Sequence, residues 1–319
     1  MNDDLKYILS LGVAHNEVQL ASDNQNYRLM RCIWDTIESD PSIIGDKDDY
    51  HNLAVAYSRD DDYLTAYKVV ERGLSQFPYN TDLLADAIFY GSNCQKYEEC
   101  KKHMEVLLQR PRASWTWRAF SFLIDYLKDC WDWEEDVKTI ESMLQYALDI
   151  SREYQKYLPN QERSYVAEYE VLMNLSKLSV ERGENENAQE LKDEANNLLK
   201  NTIYSGKIAA VQCALRYADY LFENQQFQEV IDIANQALRF GQATPTARLG
   251  YFMYLSAQSR EMLLYENDNW QTRSEDIQTI YSEYLAAISS DISRTYRENI
   301  RNRVSILAAR SSIPAPQNL

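Results

Sequence analysis

Glycine and proline are scarce in this chain, whose 319 residues include 8 Gly and 7 Pro. Together they make up about 5% of the residues, against about 12% in an average protein. Because Gly and Pro mark tight turns and loops, β-sandwiches and doubly wound α/β folds need more of them. Hydrophobic residues make up 45% of the chain, which is enough to bury a large core. The composition therefore predicts an all-α protein of long helices joined by short loops.

One segment, residues 47–80, carries a pattern with two helical faces and a closing proline. Its large and small apolar residues, followed by the proline, are Tyr50, Leu53, Ala54, Tyr57, Ala66, Val70, Gly73 and Pro78. Ala66 and Gly73 lie seven apart on one face and are small enough for two helices to approach closely. Pro78 cannot continue a helix and so ends the unit. The segment resembles a tetratricopeptide repeat, a helix–turn–helix unit of about 34 residues.

The pattern recurs along the chain with decreasing clarity. A second clear copy lies at 205–241, and degenerate copies lie at 81–111, 114–157, 161–200 and 246–290. The remaining segments predict an N-terminal hairpin over 3–39, a capping helix over 291–310 and a flexible tail over 311–319. We therefore predict one tetratricopeptide-like domain over residues 1–310. The resemblance implies a right-handed α-solenoid of antiparallel helix hairpins, whose first helices line a concave groove.

The charge and the cysteines limit the class of partner and the compartment. The formal net charge is −16, which disfavours direct binding of nucleic acid and of anionic membranes. The N-terminus lacks a secretory signal, and no stretch approaches about 18 consecutive apolar residues. The five cysteines have no CxxC spacing, which is typical of reduced cysteines in a cytoplasmic protein. We expect a cytoplasmic protein that binds no membrane.

Catalytic and metal-binding motifs are absent from the sequence. There is no P-loop, GxSxG, HExxH or GxGxxG, and the three histidines are too scattered to form a metal site on one helix face. A paired-carboxylate hydrolase stays open, because its two acids can lie far apart in the chain. We predict a non-enzymatic scaffold or adaptor that binds a protein or peptide, with no catalytic residue, metal or cofactor. The alternatives are a peptide-sensing regulatory subunit that acts through a partner and, as a third class, an enzyme on a helical-repeat scaffold.

The repeat template also predicts which side chains face the groove. These candidates combine acids, amides and large apolar groups, and they are His51, Asn52, Val55, Asp82, Phe89, Trp115, Arg118, Phe122, Asn174, Lys177, Asp219 and Phe222. Such a mixture suits an amphipathic or extended peptide. The same projection places Trp117 inside. For Trp115, Trp117, Trp131 and Trp133 two interpretations stay open, a packed helix junction or a binding platform.

Charge argues against one subtype of the family and suggests a further contact. Tetratricopeptide domains that hold a C-terminal carboxylate use Lys and Arg where this chain has Asp82 and Asp86, which would repel the ligand. Residues 35–62 include nine acids and only two bases, whereas the last predicted helix is rich in arginine. These patches are either ordinary surface charge or a means of steering a basic partner or forming a homo-oligomer.

Overall fold

The structure, a computed structural model, describes residues 14–39, 45–205, 210–241, 247–268, 270–290, 292–311 and 313–316. Residues 1–13 of the predicted N-terminal region, 206–209 of the predicted repeat 205–241, and 317–319 of the predicted tail lie outside the described residues. Within the described ranges there are α-helices and short 3-10 turns but no strand, which confirms the all-α prediction.

The described residues form fifteen α-helices, α1 to α15 in chain order. The first eight are α1 (Ala14–Asp23), α2 (Tyr27–Ser39), α3 (Lys47–Ser58), α4 (Tyr63–Gln76), α5 (Thr81–Asn93), α6 (Tyr97–Leu108), α7 (Trp117–Lys128) and α8 (Val137–Tyr157). The rest are α9 (Glu162–Glu181), α10 (Asn185–Ser205), α11 (Val211–Glu223), α12 (Phe227–Gly241), α13 (Ala247–Tyr265), α14 (Ser274–Ser289) and α15 (Arg294–Arg310). Short 3-10 turns lie at Arg112–Ser114, Cys130–Asp132 and Trp270–Thr272.

The chain divides into two compact units, residues 1–188 and 189–319, with the boundary inside α10. The prediction of one domain over residues 1–310 stays a prediction. In the N-terminal unit each of the pairs α1–α2, α3–α4, α5–α6 and α7–α8 packs as a hairpin, and α9 packs on both α7 and α8. The first helices of successive hairpins also contact one another, α3 with α5, α5 with α7 and α7 with α9. We call the surface built by α3, α5, α7 and α9 the first-helix face.

Five connections between consecutive helices share one turn, whose central residue lies two residues before the following helix. This residue has a positive φ in every case: Gln25 (51°), Asp61 (59°), Gln95 (63°), Gly183 (78°) and Gln225 (60°). The N–H of the next residue donates to the carbonyl five residues back, as in the bonds from Lys96 to Gly91 and from Gln226 to Leu221. This is the hydrogen bond of a Schellman helix end. Only one of the five positions is glycine, so the count of Gly underestimates the number of turns.

Short polar residues cap several helices of the N-terminal unit. The Asp46 side chain accepts a hydrogen bond from the N–H of Asp48, and the N–H of Asp46 donates to the side chain of Asp49. Together these bonds form a capping box at the start of α3. Asp62 accepts from the Thr65 N–H and Asp136 from the Thr139 N–H. The acids that the sequence concentrates near residues 46–62 therefore serve in part to satisfy free N–H groups.

The close approach of α3 and α4 depends on Gly73. A Cβ at this position would lie 2.8 Å from Cγ of Tyr50, and Tyr50 is fully buried. Ala66, seven residues earlier on α4, is also buried. The small residues of the repeat pattern thus make room for the aromatic ring of the first helix, as the pattern predicts.

We expect Gly73→Ala to destabilise the chain by about 1–2 kcal/mol, because overpacking against Tyr50 outweighs the gain in helix propensity. Urea unfolding followed by circular dichroism measures the change. Ser75→Ala, at an exposed position of the same helix, is the control and should change stability by less than about 0.5 kcal/mol. A stabilised Gly73→Ala variant would contradict this packing.

In the C-terminal unit α11 pairs with α12 and α13 with α14, and α15 packs on α14. Ile300, Val304 and Leu307 of α15 are buried in a cluster with residues of α13 and α14, among them Tyr284. Ile313, which the sequence places in a flexible tail, packs against this cluster, and the Tyr281 hydroxyl donates to its carbonyl at 3.3 Å. Helix α15 and Ile313 therefore cover an apolar surface.

In the described part of the chain, none of the helices is both long enough and apolar enough to span a membrane.

Candidate functional site

Charged side chains join the consecutive helices of the first-helix face. Arg118 of α7 lies 3.1 Å from Asp82 of α5, and the Thr116 hydroxyl also donates to Asp82. Lys128 of α7 lies 2.9 Å from Glu170 of α9. Asp82 and Arg118, both predicted to face the groove, thus neutralise each other. This ion pair holds the neighbouring hairpins together.

His51 makes the same kind of link between α3 and α5. Its Nδ1 lies 2.7 Å from Oδ2 of Asp86, whose side chain is completely buried. The other carboxylate oxygen, Oδ1, is buried without a hydrogen-bond partner among the described groups. His51 keeps 24% of its side chain exposed, so it both supports Asp86 and borders the face. Its neighbours Asn52 and Val55 are half-buried on the same helix.

Aromatic rings occupy the middle of the first-helix face. Phe89 of α5 stacks on Phe122 of α7 with ring centroids 4.5 Å apart, and both rings are half-buried. Trp117 contacts Phe122 edge-to-face at 6.2 Å and is 41% exposed. Arg163, at the start of α9, lies over the Trp117 ring at 5.4 Å. The face therefore offers a partner three adjacent rings.

The structure reverses the predicted positions of Trp115 and Trp117, because Trp115 is buried and Trp117 is exposed. Trp115 is 4% exposed, packs on Phe120, and is covered by Arg112 at 4.0 Å. The reason is that α7 begins only at Trp117, so Trp115 follows the preceding 3-10 turn and points into the core. Trp115 is a core residue, and Trp117 takes its place on the face.

The other two tryptophans have separate environments. Lys177 lies over the Trp131 ring at 4.9 Å, and Asn174 donates to the carbonyl of Lys128 at 3.1 Å. Trp133 stacks between Tyr97 and Tyr126, each at 5.3 Å. The four tryptophans thus form neither one core cluster nor one platform. Lys177 and Asn174, both groove candidates, connect α9 to the end of α7.

Two predicted groove residues belong to the C-terminal unit. The Tyr251 hydroxyl of α13 donates to Asp219 of α11 at 2.9 Å, and Phe222 contacts Phe227 at 5.5 Å. Burial raises the pKa of Asp219 above its ordinary value, although the bond from Tyr251 opposes the shift. Here too a predicted binding residue connects successive first helices.

A cleft of about 310 Å³ opens where α5 and α7 end. Its walls are aromatic and its rim is acidic. The rings are Phe89, Tyr97, Phe122, Tyr126 and Trp133, and the charged groups are Asp125, Lys128, Asp129 and Asp132. We call this space the α5–α7 cleft. It adjoins the exposed rings of the first-helix face through Phe89 and Phe122.

Negative charge is in excess at the α5–α7 cleft. Lys128 is shared among Asp125 at 3.4 Å, Asp129 at 3.8 Å and Glu170 at 2.9 Å. Burial alone would lower the pKa of Lys128, but these carboxylates outweigh it and hold the pKa above its ordinary value. Loss of water raises the pKa of Asp129, Lys128 lowers it, and the carboxylates of Asp125 and Asp132 raise it again. Arg163 adds a second cation, 3.5 Å from Asp125. These two cations do not balance the four acids around them, Asp125, Asp129, Asp132 and Glu170.

Another cleft, of about 270 Å³, lies in the C-terminal unit. Its two arginines are already paired, Arg260 with Glu283 at 2.9 Å and Arg273 with Asp276. Its charge is therefore largely balanced within the unit.

Tyr97, Asp129 and Asp132 of the α5–α7 cleft were not among the residues predicted from the sequence, and Trp133 was left open between a packed junction and a binding platform. The repeat template considers the faces of first helices, whereas these residues begin a second helix or follow α7. A signal existed in the sequence, because an aromatic residue follows four of the five shared turns: Tyr27, Tyr63, Tyr97 and Phe227.

Comparisons with known proteins bear on the fold. No protein-family model matches the sequence, and no curated protein matches it. Among solved structures, the human IFIT1 dimer with PPP-AAAA is similar to this chain with a TM-score of 0.52 and 12% sequence identity. The similarity covers 89% of this chain and 60% of the IFIT1 chain. TTC0263, a thermophilic TPR protein of Thermus thermophilus, has a TM-score of 0.40 at 13% identity and covers 83% of this chain and 98% of its own. With its repeated turn and stacked hairpins, the chain has a tetratricopeptide-like, all-α helical-repeat fold.

Proposed function

We propose that this chain is a non-enzymatic cytoplasmic protein that binds a protein or peptide segment on the first-helix face of its N-terminal unit. The observation that carries the proposal is the exposed aromatic surface of Trp117, Phe89 and Phe122, which leads into the α5–α7 cleft. Aromatic anchors beside a pocket, bordered by paired charges, are typical of protein-binding surfaces. A peptide-sensing regulatory subunit would use the same face.

The titratable groups of the face support binding rather than catalysis. His51 contacts the buried Asp86 and so joins α3 to α5. Away from the face, on the second helices, His103 lies 2.8 Å from Glu71 and joins α6 to α4. Arg118 and Lys128 are likewise engaged with acids of the neighbouring helix. A catalytic site needs groups free to exchange protons or to hold a developing charge.

A nucleic-acid partner is disfavoured by the same charges. The IFIT1 structure contains PPP-AAAA, but phosphate binding requires cations that are available to the ligand. The α5–α7 cleft instead has three carboxylates on its rim and one lysine that is shared among acids. We therefore propose a polypeptide partner.

Selection from a displayed random-peptide library with the full chain tests this proposal. We expect enriched peptides to bind the Trp117→Ala variant at least about tenfold more weakly, because an exposed central tryptophan is a frequent hot spot. The matched control is Tyr204→Ala, which removes a ring that is 58% exposed in the C-terminal unit. It should leave the affinity unchanged.

Two results would contradict the proposal. One is a library from which no sequence is enriched. The other is a set of enriched peptides that bind the Trp117→Ala and Tyr204→Ala variants equally well, since the first-helix face would then not be the binding surface.

A further inference from the structure

We propose that the α5–α7 cleft holds a basic side chain, Arg or Lys, of the polypeptide that binds the first-helix face. This inference rests on the proposed function and specifies the chemistry of the partner at one position. Charge, helix direction and the apolar walls of the cleft each support it.

The charge of the cleft is complementary to a basic side chain. Asp125, Asp129 and Asp132 line the cleft with Lys128, which is also engaged with Glu170. Arg163 lies 3.5 Å from Asp125, so Asp129 and Asp132 are the acids that lack a full counter-charge. A guanidinium or ammonium group placed among these acids would gain charge-assisted hydrogen bonds. An acidic ligand would meet uncompensated like charge.

The direction of two helices adds negative potential at the cleft. α5 ends at Asn93 and α7 at Lys128, and residues of both last turns line the cleft. The carbonyl groups at a helix C-terminus carry partial negative charge, equivalent to about half an elementary charge. Two such ends meet at the cleft, so the backbone adds to the potential of the carboxylates.

The walls of the cleft also suit a basic side chain. Phe89 and Phe122 provide ring surface on which the aliphatic stem of Arg or Lys can lie, while its charged end remains near the acidic rim. Guanidinium groups already contact rings on this unit, as Arg163 does over Trp117 at 5.4 Å. A volume of about 310 Å³ is at the lower end of ligand pockets, which fits a side chain rather than a whole helix.

A metal ion is a poorer occupant than an organic cation. Over the residues that the structure describes, no three His, Cys, Asp or Glu side chains converge as a metal site requires. The aromatic walls would also offer a divalent cation few oxygen ligands. The geometry therefore points to a flat or extended organic cation.

The test uses four displayed libraries that are identical except for one central position, fixed as Arg, Lys, Gln or Glu. We expect the full chain to enrich binders from the Arg and Lys libraries and few or none from the Glu library. A synthetic peptide from the Arg library should bind about tenfold more weakly to the Asp129→Asn/Asp132→Asn variant. When the central Arg of this peptide is changed to Gln, its affinity for the unmodified chain should fall by a similar factor. Its affinity for the Asp129→Asn/Asp132→Asn variant should fall little further.

The control is Glu98→Gln/Glu105→Gln, which changes the net charge equally at exposed positions of α6 and should leave the affinity unchanged. Equal enrichment from the Arg and Glu libraries, or unchanged affinity of the Asp129→Asn/Asp132→Asn variant, would overturn the assignment of the cleft while leaving the proposed function in place. The absence of binders from all four libraries would overturn both.

Discussion

Arg303→Met is expected to destabilise the C-terminal unit by about 3–5 kcal/mol, because it leaves a buried carboxylate without its counter-charge. Arg303 Nε of α15 lies 2.9 Å from Oε2 of Glu261 on α13, and Glu261 is 3% exposed. The Tyr284 and Tyr265 hydroxyls also donate to Glu261, each at 2.7 Å. Burial and this carboxylate raise the pKa of Tyr284, so its hydroxyl stays protonated and donates.

The geometry explains why one arginine has so large an effect. Glu261, Tyr284 and Arg303 come from three successive helices, so the network fixes α15 on the apolar surface that it covers. Loss of the guanidinium group would weaken this docking and expose Ile300, Val304 and Leu307. Urea unfolding, followed by the tyrosine and tryptophan fluorescence of the chain, measures the change.

Two variants make this prediction specific. Arg301→Met removes an exposed arginine two residues away on the same helix and should cost less than about 0.5 kcal/mol. Glu261→Leu combined with Arg303→Met removes both charges and should recover much of the loss, since buried pairs are often replaceable by apolar groups. Equal losses for Arg301→Met and Arg303→Met would mean that the Glu261 network contributes little.

The repeat pattern predicted packing better than it predicted the site. Tyr50, Leu53, Ala66 and Gly73 lie in the core because their spacing follows the helical period, and the period is a local property. The shared turn was not evident from composition, since glutamine or aspartate occupies four of its five left-handed positions. The fold tolerates this strain where the hydrogen bond that ends the helix compensates for it.

The candidate site was harder to predict because it depends on where helices begin and which residues they bring together. Because α7 begins only at Trp117, Trp115 lies in the core and Trp117 lies on the first-helix face. Asp82 and Arg118 are 36 residues apart, and only the packing of α5 on α7 shows that they pair. Residues predicted to contact a partner thus contact each other. The α5–α7 cleft combines two of them, Phe89 and Phe122, with residues outside the template.

His51→Leu provides the sharpest separation of structural and binding roles on the first-helix face. We expect it to destabilise the N-terminal unit by about 3 kcal/mol, because neither oxygen of the buried Asp86 would then have a partner. His103→Leu is the control: Oε1 of its acid, Glu71, is buried, but 41% of the Glu71 side chain is exposed. A small rotation would bring that carboxylate into water, so the loss should stay below about 1 kcal/mol. Urea unfolding of both variants, and of His51→Leu combined with Asp86→Leu, measures the difference. The double variant should regain stability; if His51→Leu instead leaves stability unchanged and abolishes peptide binding, the histidine belongs to the binding surface alone.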